Sequence, residues 1–163
     1  MYIKLKQIGI IKTPYTDNAP YQPVDDKKNN FRIIIDNEYT GGLLHLEDFT
    51  YIYVIYYIDR LKKGVKMSIT PPWANGHMVG LFASRAPNRP NPVGISIVRL
   101  KNIIKNEISI SGIDVFDDTP LLDIKPYVKD LDSKKDANYG WIDGLKGDRE
   151  HLLLHIKGIP HEY

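Results

Sequence analysis

"GISIVRLKNIIKNEISISGIDVFD", Gly94 to Asp117, decides the fold. Its first half, Gly94 to Asn106, sets isoleucine, valine and leucine among single polar residues. Its second half, Glu107 to Ile113, alternates polar and apolar residues, as a strand with one face in a core does. Lys105 and Asn106 stand at the join, so the two halves read as a hairpin. Next to it, "TYIYVIYYIDRL" (Thr50–Leu61) is dense in β-branched and aromatic residues and reads as a central strand.

Working outward, "YIKLKQIGII" (Tyr2–Ile11) and "NNFRIIIDNEY" (Asn29–Tyr39) read as further strands. "TGGLLHLEDF" (Thr40–Phe49) reads as one short helix capped by Thr40. "KKGVKMSITPPWANG" (Lys62–Gly76) holds a turn, a short strand and a Pro-Pro-Trp loop. "KTPYTDNAPYQPVDD" (Lys12–Asp26), "DTPLLDIKPYVKDLD" (Asp118–Asp132) and "KKDANYGWIDGLKGD" (Lys134–Asp148) read as loops, the first two punctuated by proline. "REHLLLHIKGIP" (Arg149–Pro160) reads as a final strand. Many short strands with few helices imply a mainly-β, single-domain β-barrel or strongly curved sheet with few short helices.

The chain has 163 residues, 42% of them hydrophobic, enough for one core. Its 22 basic and 20 acidic side chains leave a net charge of +2, too small to announce a nucleic-acid binder by itself. The absence of cysteine excludes disulfides, thiolate nucleophiles and Cys-based zinc sites, and fits a cytoplasmic location. Charges interrupt the apolar N-terminal run, so it is a strand rather than a signal peptide. The most apolar stretch, Phe49–Ile58, is too short to span a bilayer, so no membrane partner is expected. No Gly-x-Gly occurs, which removes the Rossmann and Walker loops, and no Gly-x-Ser-x-Gly elbow exists. His151 and His155 have metal-ligand spacing, but nothing nearby completes a set. They read as ordinary histidines, and no metal is expected.

Two stretches hold concentrated chemistry. "GLFASRAPNRPNPVGIS" (Gly80–Ser96) carries Arg85 and Arg89 in a loop stiffened by Pro87, Pro90 and Pro92. Proline fixes φ, so the guanidinium groups are held with little further entropy loss. That suits a carboxylate or phosphate partner, and equally suits arginines that pair with nearby acids. "DVFDDTPLLDIKPY" (Asp114–Tyr127) sets Asp117, Asp118 and Asp123 around a Thr-Pro turn closed by Lys125. It reads as a cation or proton-acceptor site, or as an Asp-initiated turn. "APYQP" (Ala19–Pro23) is a rigid connector, or a loop whose Gln22 both donates and accepts toward an adenine edge or an amino-acid group. Tyr51, Tyr53, Tyr56 and Tyr57 read as core or surface aromatics, with base stacking the rarer use.

Together these stretches resemble the TsaA-like family, from "IGIIKTPY" to "DIKPY" and more weakly to "YGWIDG". The resemblance implies one β-barrel domain over residues 1–163, with a family core at about 5–128 and a tail at 129–163. It implies an S-adenosylmethionine-dependent methyltransferase acting on the threonylcarbamoyl-adenosine beside the tRNA anticodon. Cofactor contacts carry over to Pro20, Tyr21 and Gln22, to Asp59 and Arg60, to Arg85 and Ile95, and to Asp117, Asp118, Thr119 and Pro120. A homodimer with the cofactor near its interface is also implied. Two departures stand out. Asp118 replaces a glycine at a position suited to positive φ, and Asp59 stands where bacterial members often carry histidine. Bacterial members also carry a C-terminal domain, whereas this chain ends soon after the core.

The acceptor nitrogen in that adenosine is conjugated and weakly nucleophilic, so a proton acceptor beside it is expected. Asp117, Asp123 and Tyr127 are the candidates. Arg89, Asn91 and Lys125 are candidates for substrate contact. Two other readings remain open here. One keeps S-adenosylmethionine but transfers methyl to another RNA or a small molecule. The other is a non-enzymatic barrel that binds RNA or the cofactor.

Overall fold

The computed structural model describes residues 2–20, 30–61, 64–72, 74 and 76–145. The opening hairpin is present as β6 (Val93–Ile104) and β7 (Glu107–Ile110), joined at Lys105 and Asn106. Lys105 takes a φ of 57°, as a tight hairpin turn asks. Alternate residues of β6, Gly94, Ser96 and Val98, are buried. β7 stops at Ile110, because Ser111 and Gly112 end the alternation.

β3 (Tyr51–Tyr57) runs antiparallel between β6 and β8 (Thr119–Pro126). β1 (Gly9–Lys12) and β2 (Arg32–Ile35) complete the sheet. The order is β1-β2-β7-β6-β3-β8, and β8 also pairs with β1, so the antiparallel sheet closes into a barrel. Closure leaves the barrel sheet itself without an open edge. Ile11, Phe31, Ile33, Ile52, Val54, Val98, Ile108, Ile110 and Leu121 fill the interior. A separate pair, β4 (Ser68–Ile69) and β5 (Val79–Gly80), lies between β3 and β6 in the chain and leads into the arginine loop.

Four sequence expectations are corrected. β1 begins only at Gly9; Tyr2, Ile3 and Leu5 are exposed, since alternation without a partner strand builds no ladder. The Asn29–Tyr39 strand shrinks to Arg32–Ile35, after which the chain turns into a 3-10 segment, Asn37–Leu43. The single helix at Thr40–Phe49 is instead the end of that segment plus a second one, Leu46–Asp48, split at His45 with φ 64°. Thr40 lies inside the first, where its Oγ1 donates to the Asn37 carbonyl at 2.9 Å rather than capping. The Asp118–Asp132 loop is largely β8, followed by the single turn α1 (Lys129–Asp132). Its prolines stand second and last in the strand, where a missing N–H costs the ladder least. Arg149–Pro160, with His151 and His155, lies outside the described residues.

β1 and β2 cross closely at Gly9. A Cβ there would stand 2.2 Å from the Ile34 carbonyl oxygen, whereas one on Gly41 would meet nothing within 4 Å. Gly9→Ala is therefore expected to cost about 1–3 kcal/mol or more, read as a lower urea midpoint. Gly41→Ala should stay within about 0.5 kcal/mol of the parent.

Candidate active site

The register brings the end of β1, the end of β3 and the starts of β6 and β8 to one mouth of the barrel. Ile11 pairs with Thr119, Tyr57 with Val93, and Tyr56 with Leu121. The acidic turn sits there. The Thr119 N–H and Oγ1 both donate to the Phe116 carbonyl, at 3.2 and 2.8 Å. Asp118 occupies the left-handed region with φ 62°, the geometry the family's glycine would take freely. Lys12 Nζ reaches Asp117 Oδ2 at 2.5 Å and Asp118 Oδ1 at 3.0 Å, and the Thr13 N–H donates to Asp117 Oδ1 at 3.0 Å. Burial alone would raise the Asp117 carboxyl; the Lys12 ammonium and the Thr13 N–H outweigh it and hold the group below the usual carboxylate range. The hydrogen bonds to Asp117 and Asp118 raise Lys12.

The strand-end pair joins this turn. Arg60 Nη2 donates to the Asp117 carbonyl at 2.7 Å and Nη1 to the Thr16 carbonyl at 3.2 Å. Its guanidinium lies 5.4 Å from the centre of the Phe116 ring, and Nε is 4.0 Å from Asp59. Arg60 thus clamps two loops while Asp59 stays at the rim.

The arginine loop meets the same mouth. Arg85 Nη2 donates to the Ile95 carbonyl at 3.0 Å, which joins two residues 10 positions apart. Arg85 is exposed, and a guanidinium carries five N–H donors, so capacity for a carboxylate ligand remains. Arg89 turns back on its own loop. Its Nη1 donates to the Ser84 and Ala86 carbonyls at 3.0 and 3.2 Å, and its guanidinium lies 5.7 Å from the centre of the Phe82 ring. Asn88 Nδ2 ties the loop to the Gly64 carbonyl at 2.5 Å. Asn91 is exposed, and its carbonyl accepts the Val93 N–H at 2.8 Å.

Other expected residues lie elsewhere. At about 3.3 Å per strand residue, Lys125 is about 20 Å along β8 from Thr119. Lys125 pairs with Asp123 at 2.7 Å on the outer wall, opposite Tyr53 and Ile55. Tyr127 packs on Tyr53 and Tyr51, with ring centres 5.6 and 6.4 Å away. Asp117 is therefore not grouped with Asp123 and Tyr127. Pro20 is partly exposed at the end of a described stretch; Tyr21 and Gln22 lie outside the described residues.

Three features were missed in the sequence. Lys12 read as the first residue of the Lys12–Asp26 loop with no role assigned, whereas it ends β1. Trp141 lies in the tail, yet its Nε1 donates to the Ala83 carbonyl at 2.8 Å and its ring stacks on His77 at 5.5 Å, so the tail touches the arginine loop. Inside the mouth, Tyr56 faces inward at 8% exposure, over Gly94, with its hydroxyl 3.2 Å from Ser96 Oγ. Burial raises both the Tyr56 phenol and the nearby Asp114 carboxyl, and the Arg85 charge opposes that rise in each. The available signal was Asp114 itself, a carboxylate between buried Ile113 and Val115. Among the described residues, no group of three or more His, Cys, Asp or Glu could hold a metal ion, and no helix is long and apolar enough to cross a membrane.

These features define a small antiparallel β-barrel with charged groups from four chain segments at one mouth. The family model of the tRNA-methyltransferase O N-terminal domain matches residues 10–133, and the chain belongs to this family. It is 35% identical over 161 residues to a probable S-adenosyl-L-methionine-binding protein of Archaeoglobus fulgidus, covering 96% of this chain and 43% of that one. It is 30% identical over 145 residues to the tRNA (adenine(37)-N6)-methyltransferase of Escherichia coli, covering 83% of this chain and 62% of that one. The crystal structure of TrmO from Pseudomonas aeruginosa matches with a TM-score of 0.69 at 28% identity, over 86% of this chain and 62% of that one. The chain thus spans less than two thirds of the length of each of these three proteins.

The Lys12–Asp117 contact has a definite pH sign. A carboxylate held low contributes stability above its unfolded pKa and loses it as pH falls through the folded value. Lys12, held high, keeps its part until alkaline pH. Urea stability should therefore fall as pH drops below the ordinary carboxylate range, about 4, and Lys12→Met should flatten that fall. An equal slope in the variant would remove this pair as its source.

Proposed function

We propose that this chain is an S-adenosylmethionine-dependent methyltransferase whose substrate is the threonylcarbamoyl-adenosine next to the tRNA anticodon. The observation that carries this reading is the meeting of Asp59–Arg60, Asp117–Pro120 and Arg85–Ile95 at one barrel mouth. These are the positions the family resemblance assigns to cofactor contact. The names of the Archaeoglobus and Escherichia relatives support the cofactor and the acceptor.

The cofactor supplies a methyl group on a sulfonium, and the chain's task is orientation. Arg85 suits the amino-acid carboxylate as a forked donor. The main chain at Ile95, Thr119 and Pro120 lines the mouth, and Pro20, Tyr21 and Gln22 are assigned to the cofactor by resemblance. Arg60 holds the acidic turn in place. Arg89 preorganises the loop, with Asn91 at its rim toward the RNA; Lys125 is assigned to more distant RNA contact. Alignment at near-attack distance supplies on the order of 7–11 kcal/mol at best.

The chain works as one domain and as a homodimer in the cytoplasm on this reading. An outward face of β3 and β6 supports self-association: Tyr51, Tyr57, Val93, Ile95 and Ile97 are exposed there side by side. Contiguous apolar surface of this kind marks interaction sites.

Labelled S-adenosylmethionine incubated with tRNA carrying or lacking the threonylcarbamoyl group tests the reading. Label is expected only in the former. Cofactor binding without label in either tRNA overturns the substrate, and no binding overturns the enzyme. Arg85→Ala is expected to weaken cofactor binding about tenfold or more, about 1.4 kcal/mol; unchanged affinity by calorimetry removes Arg85 from that role.

A further inference from the structure

We propose that Trp141 is a positioning residue for the cofactor: from the tail of the chain it clamps the entry of the arginine loop and so fixes where Arg85 stands. The proposal rests on the cofactor-binding reading above. It follows from how the carbonyls of that loop are held. The Leu81 carbonyl accepts the Ser84 N–H at 3.2 Å and the Ser84 hydroxyl at 2.8 Å. The Ser84 and Ala86 carbonyls accept from Arg89 Nη1. These bonds lie within the loop, so they fix its shape and not its position. Asn88 ties the far side to the Gly64 carbonyl. The entry is tied by Trp141, whose Nε1–H donates to the Ala83 carbonyl at 2.8 Å across 58 positions of chain. Ala83 stands two residues before Arg85.

The indole holds a second point at the same time. Its ring stacks on His77, with centres 5.5 Å apart and planes 16° off parallel. His77 precedes β5, and its N–H closes a turn on the Ala74 carbonyl at 2.7 Å. Trp141 therefore touches the chain on both sides of β5 and of the 3-10 turn Leu81–Ala83. With ring and donor both engaged, Ala83 is fixed relative to His77. Ala83 and Arg85 are exposed, so core packing does not place them. A loop ordered before its ligand arrives binds that ligand more tightly than one the ligand must order.

The tail is shaped to deliver the ring. Gly140 takes a φ of 59°, and its N–H donates to Asn138 Oδ1 at 3.2 Å. That bend opens the 3-10 segment Gly140–Gly144, closed by the Ile142 N–H on the Tyr139 carbonyl at 3.3 Å. Trp141 lies beyond residues 10–133, the stretch that the family model matches.

Trp141→Phe keeps a ring for His77 and removes the donor; Trp141→Ala removes both. Affinity for S-adenosylmethionine is measured by calorimetry for each variant, alone and combined with Arg85→Ala, with melting temperatures alongside. Trp141→Phe is expected to weaken binding about three- to tenfold, and Trp141→Ala more. In the Arg85→Ala background either substitution should change affinity by less than about twofold, because the tryptophan acts through Arg85. A generally loosened structure would weaken binding in both backgrounds. Losses that multiply with that of Arg85→Ala therefore overturn the proposal, as does unchanged affinity in either single variant. A parent that binds no S-adenosylmethionine overturns the cofactor reading and takes the proposal with it.

Discussion

The pairing of β8 with both β1 and β3 is the constraint on which the rest depends. It closes the barrel, and it sets where the acidic turn enters. A register shift between Ile55 and Tyr56 inserts one extra residue of β8 between Leu121 and Asp123. Leu121 faces Tyr56 inside. Beyond the shift, Asp123 faces Ile55 on the outer wall and Ile124 faces Val54 in the core. Without that bulge, simple alternation would turn Asp123 inward and put a charge into an isoleucine core. One misplaced residue in this strand would damage the core and the mouth together.

The part of the fold legible in the sequence was the part with local patterning. The β6–β7 hairpin and β3 show alternation or dense β-branched residues, and both appear where expected. β8 was hidden because Pro120 and Pro126 look like loop punctuation, although each lies where the ladder tolerates a missing N–H. Tyr2–Gln7 failed in the opposite way: it has the pattern of a strand, but among the described residues no ladder includes it. Alternation reports one face of a strand and is silent about the neighbour it needs.

The site was legible to a different degree. Composition left the arginines of Gly80–Ser96 undecided between a ligand and their own loop, and the structure divides them. Arg89 serves Ser84 and Ala86, while Arg85 reaches across to β6. The three prolines and Arg89 brace the same segment, which lowers the ordering cost of whatever Arg85 binds. The union of Arg60 with the Asp117 carbonyl spans 57 positions and has no signature in spacing or periodicity. Only the family resemblance put those two stretches side by side. Asp114 was given no role because the reading of that stretch rested on Asp117, Asp118 and Asp123; its neighbours Ile113 and Val115 are core.

The mouth separates charges that build from charges that remain available. Lys12, Asp117, Asp118 and Arg60 are bound to one another or to the backbone at 2.5–3.0 Å. Among the described residues, Arg85 is held by one hydrogen bond, to the Ile95 carbonyl at 3.0 Å, and a guanidinium carries five N–H donors. A ligand carboxylate would find those remaining donors at the mouth. The bound set gives the mouth its shape, and the hydrogen bond to Ile95 fixes Arg85 against β6 beside it.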